Sequence, residues 1–369
     1  TDKGDTVTAR VVICAVGGLV DPAYPDIKGL KTFAGRMFHT ARWDHSYDLT
    51  GKRVGVIGTG ASAIQVVPSI APQVKQLTVF QRTAAWVVPR SDHPYSERAK
   101  QMYARHPWRL NLSRLAIYWT TELFGPMIFL DAPKLSSLGE KMAIAHLHKQ
   151  VKNPELRKKL TPNYQFGCKR VLVSDDYYAT FARENVELAT EHIEEICPAG
   201  IKTADGKLHE LDAIVLATGF DLGLTHSPFP VTGRSGKSLD ETWKNGAVAY
   251  KGMTVSGFPN WFILMGPNTG PGHTSVLVYT EAQIEHALGA IRKLMSNGVK
   301  FVDIRQDVQD RYNVGIQGRM KYMVWNSGCN SWYLSEDGSN HSLYPGFAAE
   351  YALRARHFKE SDYEISHFA

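Results

Sequence analysis

The stretch Lys52-Arg-Val-Gly-Val-Ile-Gly-Thr-Gly-Ala-Ser-Ala-Ile-Gln-Val-Val67 constrains the fold of this chain more than any other. Residues 53–57 are apolar and rich in β-branched side chains, the pattern of a parallel strand buried on both faces. Gly58-Thr59-Gly60-Ala61-Ser62-Ala63 then turns directly into a helical stretch, residues 64–70, whose first turn carries Gln65. Gly58 permits the tight turn, Gly60 lets the backbone approach a pyrophosphate, and Ala63 lets helix and strand pack closely. The freed N–H groups and the helix dipole favour a phosphate there. A glycine motif carries weight only between a strand and a helix, as this one is. The next strand, residues 76–81, ends at Arg82-Thr83, twenty-four residues after Gly58. An NAD site would place Asp or Glu near that point, whereas Arg82 suits a 2′-phosphate. The stretch therefore reads as an NADP site, with a Gly-rich turn in an unrelated α/β domain as the alternative.

A chain of 369 residues has room for two domains and a large core. Its net charge of +6 is spread in short clusters such as Arg157-Lys-Lys159, which argues against a nucleic-acid stripe. The four cysteines are far apart and form no C-x-x-C pair. Neither a disulfide framework nor a metal site is expected, which fits a cytoplasmic protein. The polar opening residues are not a signal peptide. Residues 108–130 are the most membrane-like, but Arg109, Arg114 and Glu122 interrupt them and no run is long enough to span a bilayer. Apolar residues recur at helical spacing from 90 to 165, including Trp108, Leu112, Leu115, Tyr118, Trp119, Leu138, Met142 and Ala145. They read as core helices, with a peripheral membrane contact as the lesser alternative.

Residues 7–16 form an apolar strand that ends in a glycine turn, and nothing upstream supplies it with neighbours. It reads as the closing strand of an earlier domain. Then comes Phe33-Ala-Gly35-Arg-Met-Phe-His39-Thr-Ala-Arg-Trp43-Asp44, just before the glycine motif. The pattern F-x-G-x-x-x-H-x-x-x-W-[PD] resembles the fingerprint of type I Baeyer–Villiger monooxygenases, flavoproteins of the flavin monooxygenase superfamily. Phe33, Gly35, His39, Trp43 and Asp44 all match.

The resemblance implies an α/β flavoprotein with two dinucleotide-binding (Rossmann-like) domains: here one complete NADP domain with a helical insertion, plus an incomplete FAD domain. Residues 1–44 would end the N-terminal FAD segment and its linker. Residues 45–89 and 166–220 would build the NADP domain around the insertion at 90–165, and 221–369 would belong to the FAD domain. The implied cofactors are FAD and NADP(H). By chemistry alone Lys169-Arg170 is a solvated pair. By resemblance Lys169 holds the NADP 2′-phosphate and Arg170 is catalytic, stabilising the anionic flavin peroxide. Ala217-Thr218-Gly219 resembles the strand end leading back to the FAD domain. Residues 267–276 form a Gly/Pro-rich loop containing Asn268 and Thr274, ahead of a helix at 274–295. Such a helix start can stabilise negative charge on a flavin edge, or be an ordinary cap. Residues 326–345 resemble the family's mobile loop, in which Trp332 would contact the nicotinamide cofactor.

The implied reaction inserts one oxygen atom of O₂ beside a ketone carbonyl, giving an ester or lactone. Sulfide oxidation is a further activity of that branch. N- or S-oxygenation, or a non-catalytic NADP-binding remnant, are the alternatives. The glycine motif that holds the FAD diphosphate in the family has no counterpart in this sequence, so weak FAD binding is expected. The expected partners are a small ketone or sulfide and O₂, with no nucleic acid and no stable membrane insertion.

Overall fold

The computed structural model describes residues 3–222, 227, 229–296, 298–328, 331, 333–335 and 337–368. They form two compact units, one of Leu19–Ala104 and Pro133–Asp221, the other of Thr1–Gly18, Arg105–Ala132 and Leu222–Ala369.

The unit beginning at Leu19 is built on a five-stranded sheet in the order Arg36–His39, Ala213–Leu216, Arg53–Ile57, Gln76–Phe80, Val186–Ala189. Every neighbouring pair is parallel. Val54, Val56, Leu77, Val79, Ile214 and Val215 are fully buried, which explains why these strands read as unbroken apolar runs. The helix Ala63–Ile70 lays Ala63, Ile64, Val67 and Ile70 on the sheet. A three-stranded antiparallel meander, Ile193–Cys197, Gly200–Thr203 and Leu208–Glu210, buries Ile196 and Ile201 with Ile57, Phe80 and Leu216.

The fingerprint segment belongs to this unit. Residues 36–39 are its edge strand, so the boundary falls at Leu19 and not at 44. Asp21–Pro22 also pairs with Phe220–Asp221 within it. The insertion is helical, comprising Glu97–Arg105, Pro107–Phe124, Pro126–Phe129, Pro133–Gln150 and Pro154–Leu160, but the two units divide it.

The expectation that its apolar residues are core is corrected. Trp108, Leu112, Leu115, Trp119, Leu138 and Met142 are each between 46% and 57% exposed. In Pro133–Gln150 the buried residues are Ser136, Gly139, Ala143, His146 and Leu147. That stripe is rotated from 138–142–145 because small residues admit a neighbour more closely. A Cβ on Gly139 would stand 2.4 Å from the Phe166 ring. On Pro107–Phe124 the buried residue is Glu122.

In the other unit Val12–Cys14 runs parallel to Trp261–Ile263, and Val299–Ile304 is antiparallel to Tyr363–His367. The first strand thus has a parallel partner drawn from downstream, and Val12 and Ile13 are 51% and 45% exposed, in line with a strand left at an edge. The helix Val276–Leu294 contributes Ala287, Ala290 and Leu294 to a core with Phe262, Val302 and Tyr363. The cysteines also differ from expectation. Cys14 and Cys197 are free, but Cys168 is disulfide-bonded, since folding can join cysteines remote in sequence. Among the described residues no helix is long and apolar enough to cross a membrane, and no acid, His and Cys cluster could hold a metal.

Leu77 is fully buried in the centre of the parallel sheet. Leu77→Ala should lower stability by about 2–5 kcal/mol. Urea denaturation followed by circular dichroism would measure it.

Candidate functional site: a glycine turn with two convergent cations

Two strand ends meet at the C-terminal edge of the parallel sheet. Arg53–Ile57 runs into Gly58, whose N–H donates to the Phe80 carbonyl at 3.1 Å. Its neighbour Ala213–Leu216 runs into Ala217, whose N–H donates to Ile57 O at 2.9 Å. Gly58 has φ +116°, and a Cβ there would lie 2.3 Å from the Ala217 carbonyl. Gly60 meets nothing within 4 Å of its missing side chain, and Gly219 likewise faces open space. The two glycines of the motif thus differ: Gly58 is required by the protein's own backbone, while Gly60 borders open space.

The helix start is correspondingly free. Ser62 makes no side-chain cap, Ala61 is exposed, and Ala63 is buried against the sheet. Gln65 donates its amide to Ala61 O at 2.8 Å on the exposed face. Thr59 Oγ1 donates to Thr83 O at 2.8 Å, joining the turn to the segment after the next strand. Thr218 Oγ1 donates to Ala23 O at 2.7 Å, which holds Ala217–Gly219 in place.

Arg82, beside Thr83, is exposed. It lies close enough to Lys169 for its charge to add to burial in lowering the Lys169 pKa. The Lys169 ammonium sits 5.0 Å from the centre of the Tyr164 ring. Trp86 donates its indole N–H to Tyr164 O at 2.9 Å and so steadies that platform. The Arg82 charge adds to burial in opposing the charge on Lys169, an effect that an incoming dianion would offset. Arg170 is exposed and engages none of the described residues in a hydrogen bond or ion pair.

The fingerprint residues take supporting positions. Gly35 lets the strand pass the Asp212 carbonyl, 2.6 Å from where a Cβ would stand, and Phe33 packs on the same cluster. His39 is 1% exposed, and its Nδ1 accepts the Ala41 N–H at 3.1 Å. Burial lowers its pKa, opposed by the Gly219 backbone, and its Nε2 is buried without a hydrogen-bond partner. Trp43 stands edge-on to Phe38 at 4.9 Å. Asp44 accepts from Arg36 Nε at 2.6 Å and from Ser46, whose hydroxyl leads in holding its pKa low.

The other candidate residues lie in the second unit. Asn268 is 1% exposed with φ +56°, and donates its amide to Asn340 O at 2.8 Å and Leu343 O at 3.0 Å. It ties the loop to 340–343 rather than pointing outward. Thr274 Oγ1 lies 3.4 Å from Thr121 Oγ1, just ahead of the Ser275 cap on Val276–Leu294. Trp332 lies outside the described residues.

Sequence reasoning missed Glu122 and His273. His273 Nε2 is 2.7 Å from Glu122 Oε2 with both side chains buried, and Ala349 N–H donates to Glu122 Oε1 at 2.6 Å. The only signals were a lone acid in an apolar run and a lone histidine in a glycine loop, 151 positions apart.

Gly58→Ala should cost more than about 1 kcal/mol, because the new Cβ strikes backbone at a positive φ. Gly60→Ala, facing open space, should leave stability nearly unchanged, and thermal melting of both variants checks the contrast.

The chain matches a model of the flavin-binding monooxygenase-like family over residues 2–254. It is 43% identical over 370 positions to a Baeyer–Villiger monooxygenase of Pseudomonas aeruginosa, covering 99% of this chain and 69% of that protein. It is 42% identical to one of Streptomyces coelicolor, covering 98% of this chain and 70% of that relative. Among solved structures, an oxidised steroid monooxygenase bound to NADP superposes over the whole chain and 77% of its own, with a TM-score of 0.86 at 30% identity. A Rhodococcus cyclohexanone monooxygenase bound to NADP⁺ gives 0.85 at 26% identity, covering 100% of this chain and 77% of that one. With its fingerprint, glycine turn and parallel sheet in place, the chain belongs to the flavin-binding monooxygenase family, among the type I Baeyer–Villiger monooxygenases.

Proposed function

We propose that this chain serves a Baeyer–Villiger oxidation in which NADPH is the reductant and a ketone becomes an ester or lactone with one atom of O₂. The observation that carries this reading is the Arg82–Lys169 pair beside the open glycine turn, in a chain whose relatives bear that name. The turn and the Ala63–Ile70 helix start offer backbone N–H groups to a pyrophosphate. Arg82 and Lys169 supply charge-assisted hydrogen bonds that only the 2′-phosphorylated dinucleotide can use. Arg170 is exposed and presents its planar guanidinium without a partner among the described residues. Its role is to stabilise negative charge that develops as oxygen is transferred.

For a flavin the fit is partial. The parallel strands Val12–Cys14 and Trp261–Ile263 deliver two glycine-rich turns, 15–18 and 266–272, to the same end of their sheet. Gly17 and Gly18 meet nothing within 4 Å, as a close ligand approach requires. These residues and the start of Val276–Leu294 would line the ring. Among the described residues, however, the one short glycine turn that runs from a parallel strand straight into a helix is that between Ile57 and Ala63. A bound flavin would supply the oxygen-activating chemistry, while this chain orients the nicotinamide dinucleotide and keeps cationic charge beside it.

Loss of one charge-assisted contact corresponds to about 1.5–3 kcal/mol, or roughly ten- to hundredfold in affinity. Arg82→Ala should therefore weaken NADPH binding by that factor and leave NADH within about twofold, as read by calorimetric titration. Equal loss for both would show Arg82 to be a surface charge. Arg170→Ala should keep NADPH binding yet abolish ester formation from a ketone in flavin-supplied protein, followed by gas chromatography. Retained ester formation would remove Arg170 from the reaction, and a sulfoxide without any ester would favour S-oxygenation.

A further inference from the structure

Apart from the nucleotide crevice, the second unit contains a cavity of about 300 Å³. It lies where Gln306–Met320, Ala348–Ala355 and the turn at Lys251 meet, and Lys251, Arg311, Arg319 and Arg354 line it without a lining carboxylate. Tyr312, Tyr344 and Tyr351 form aromatic walls, and Gly315 leaves open space on the helix face. Its size suits one small organic molecule.

The charges there do not balance. Arg319 is bound in a fork by Glu350, at 2.9 and 2.7 Å, and Arg354 shares that carboxylate at 3.1 Å. Arg311 pairs with Asp307, which also holds Arg305. Asp362, the acid facing Lys251, is taken up by the Tyr250 hydroxyl at 2.6 Å and by Lys359 at 3.7 Å. The four lining cations thus share three carboxylates, none of which lines the cavity. Arg311 and Arg354 are 70% exposed and stand at its mouth, while Arg319 is 35% exposed.

Lys251 is held there on purpose of geometry rather than by drift. Its φ is +52°, a left-handed conformation that a lysine keeps only when its surroundings impose it. The Tyr351 hydroxyl donates to its carbonyl at 2.7 Å, and its ammonium donates to His357 O at 3.2 Å. Burial pushes its pKa down to about 8. A charged group that loses hydration in this way is stabilised by an anion.

We propose that this cavity binds a small aromatic carboxylate, its ring against Tyr312 and its carboxylate beside Lys251 and Arg354. The aromatic lining favours a flat π-system over an inorganic anion, and a carboxylate can accept from the Lys251 ammonium and from Arg354 N–H groups beyond the one that Glu350 takes. The cavity and the glycine turn belong to different units.

Equilibrium dialysis of the 369-residue chain against 2-naphthoate and the neutral 2-naphthylmethanol tests the proposal. One saturable naphthoate site is expected, with the alcohol at least about tenfold weaker. Arg354→Ala and Lys251→Met should each weaken naphthoate about tenfold while NADPH affinity stays unchanged as a check on folding. Equal binding of acid and alcohol, or variants that bind naphthoate normally, would overturn the site. A second measurement needs no variant: naphthoate should protect Lys251 from amine acylation, read by mass spectrometry, and lack of protection would equally overturn it.

Discussion

The pairing of Arg53–Ile57 with Ala213–Leu216 is pinned at both ends, and the candidate site depends on that pinning. At the start, the Asp212 carboxylate accepts from Arg53 N at 2.7 Å and from Arg53 Nη2 at 2.9 Å. Asp212 N–H returns a bond to Arg53 O at 2.8 Å, and Asp212 O accepts from Arg36 N at 3.1 Å, so one residue registers three strands. At the finish, the Ala217 carbonyl fills the space that a side chain at Gly58 would need. With both ends held, the turn at 58–60 has one exit direction, and its N–H groups open at the carboxyl edge of the sheet. The next strand leaves to one side while Ala213–Leu216 and Arg36–His39 lie on the other. A crevice at such a reversal is where open parallel sheets bind ligands.

The fingerprint acts through the same sheet. Arg36–His39 adds the edge strand, Trp43 covers Phe38, and the Arg36–Asp44 pair closes the turn that follows. His39 is buried between Tyr24 and Phe220, with ring centres 5.8 Å from each. Accepting the Ala41 N–H at Nδ1 and shielded from water, the imidazole is held neutral. The segment that looks most like a chemical signature in the sequence therefore stabilises the path of the chain beside the glycine turn. In the other unit the buried Glu122–His273 pair is a comparable device. It joins the Pro107–Phe124 helix to the glycine loop ahead of Val276–Leu294, and removing either partner would leave the other buried alone.

The strand–turn–helix at 53–70 was legible because its pattern is local: β-branched residues for a buried strand, glycines for the turn, small Ala63 for close packing. The same holds for Val276–Leu294, where apolar spacing and a Ser cap lie within a few residues of one another. Helices were legible throughout 90–165, but their buried faces were not. Periodicity states that a helix has a face, while the partner decides which face is covered. Gly139 against Phe166 and Glu122 against His273 are such decisions, made between residues far apart in sequence. The neighbours of Asn268, the Cys168 disulfide and the edge position of residues 36–39 were likewise hidden. Local backbone sterics and residue type determine where a strand, a turn or a helix can form. The close approach of Lys169 to Arg82, and the gathering of cations around Lys251, depend on how separate segments pack, which only the tertiary structure decides.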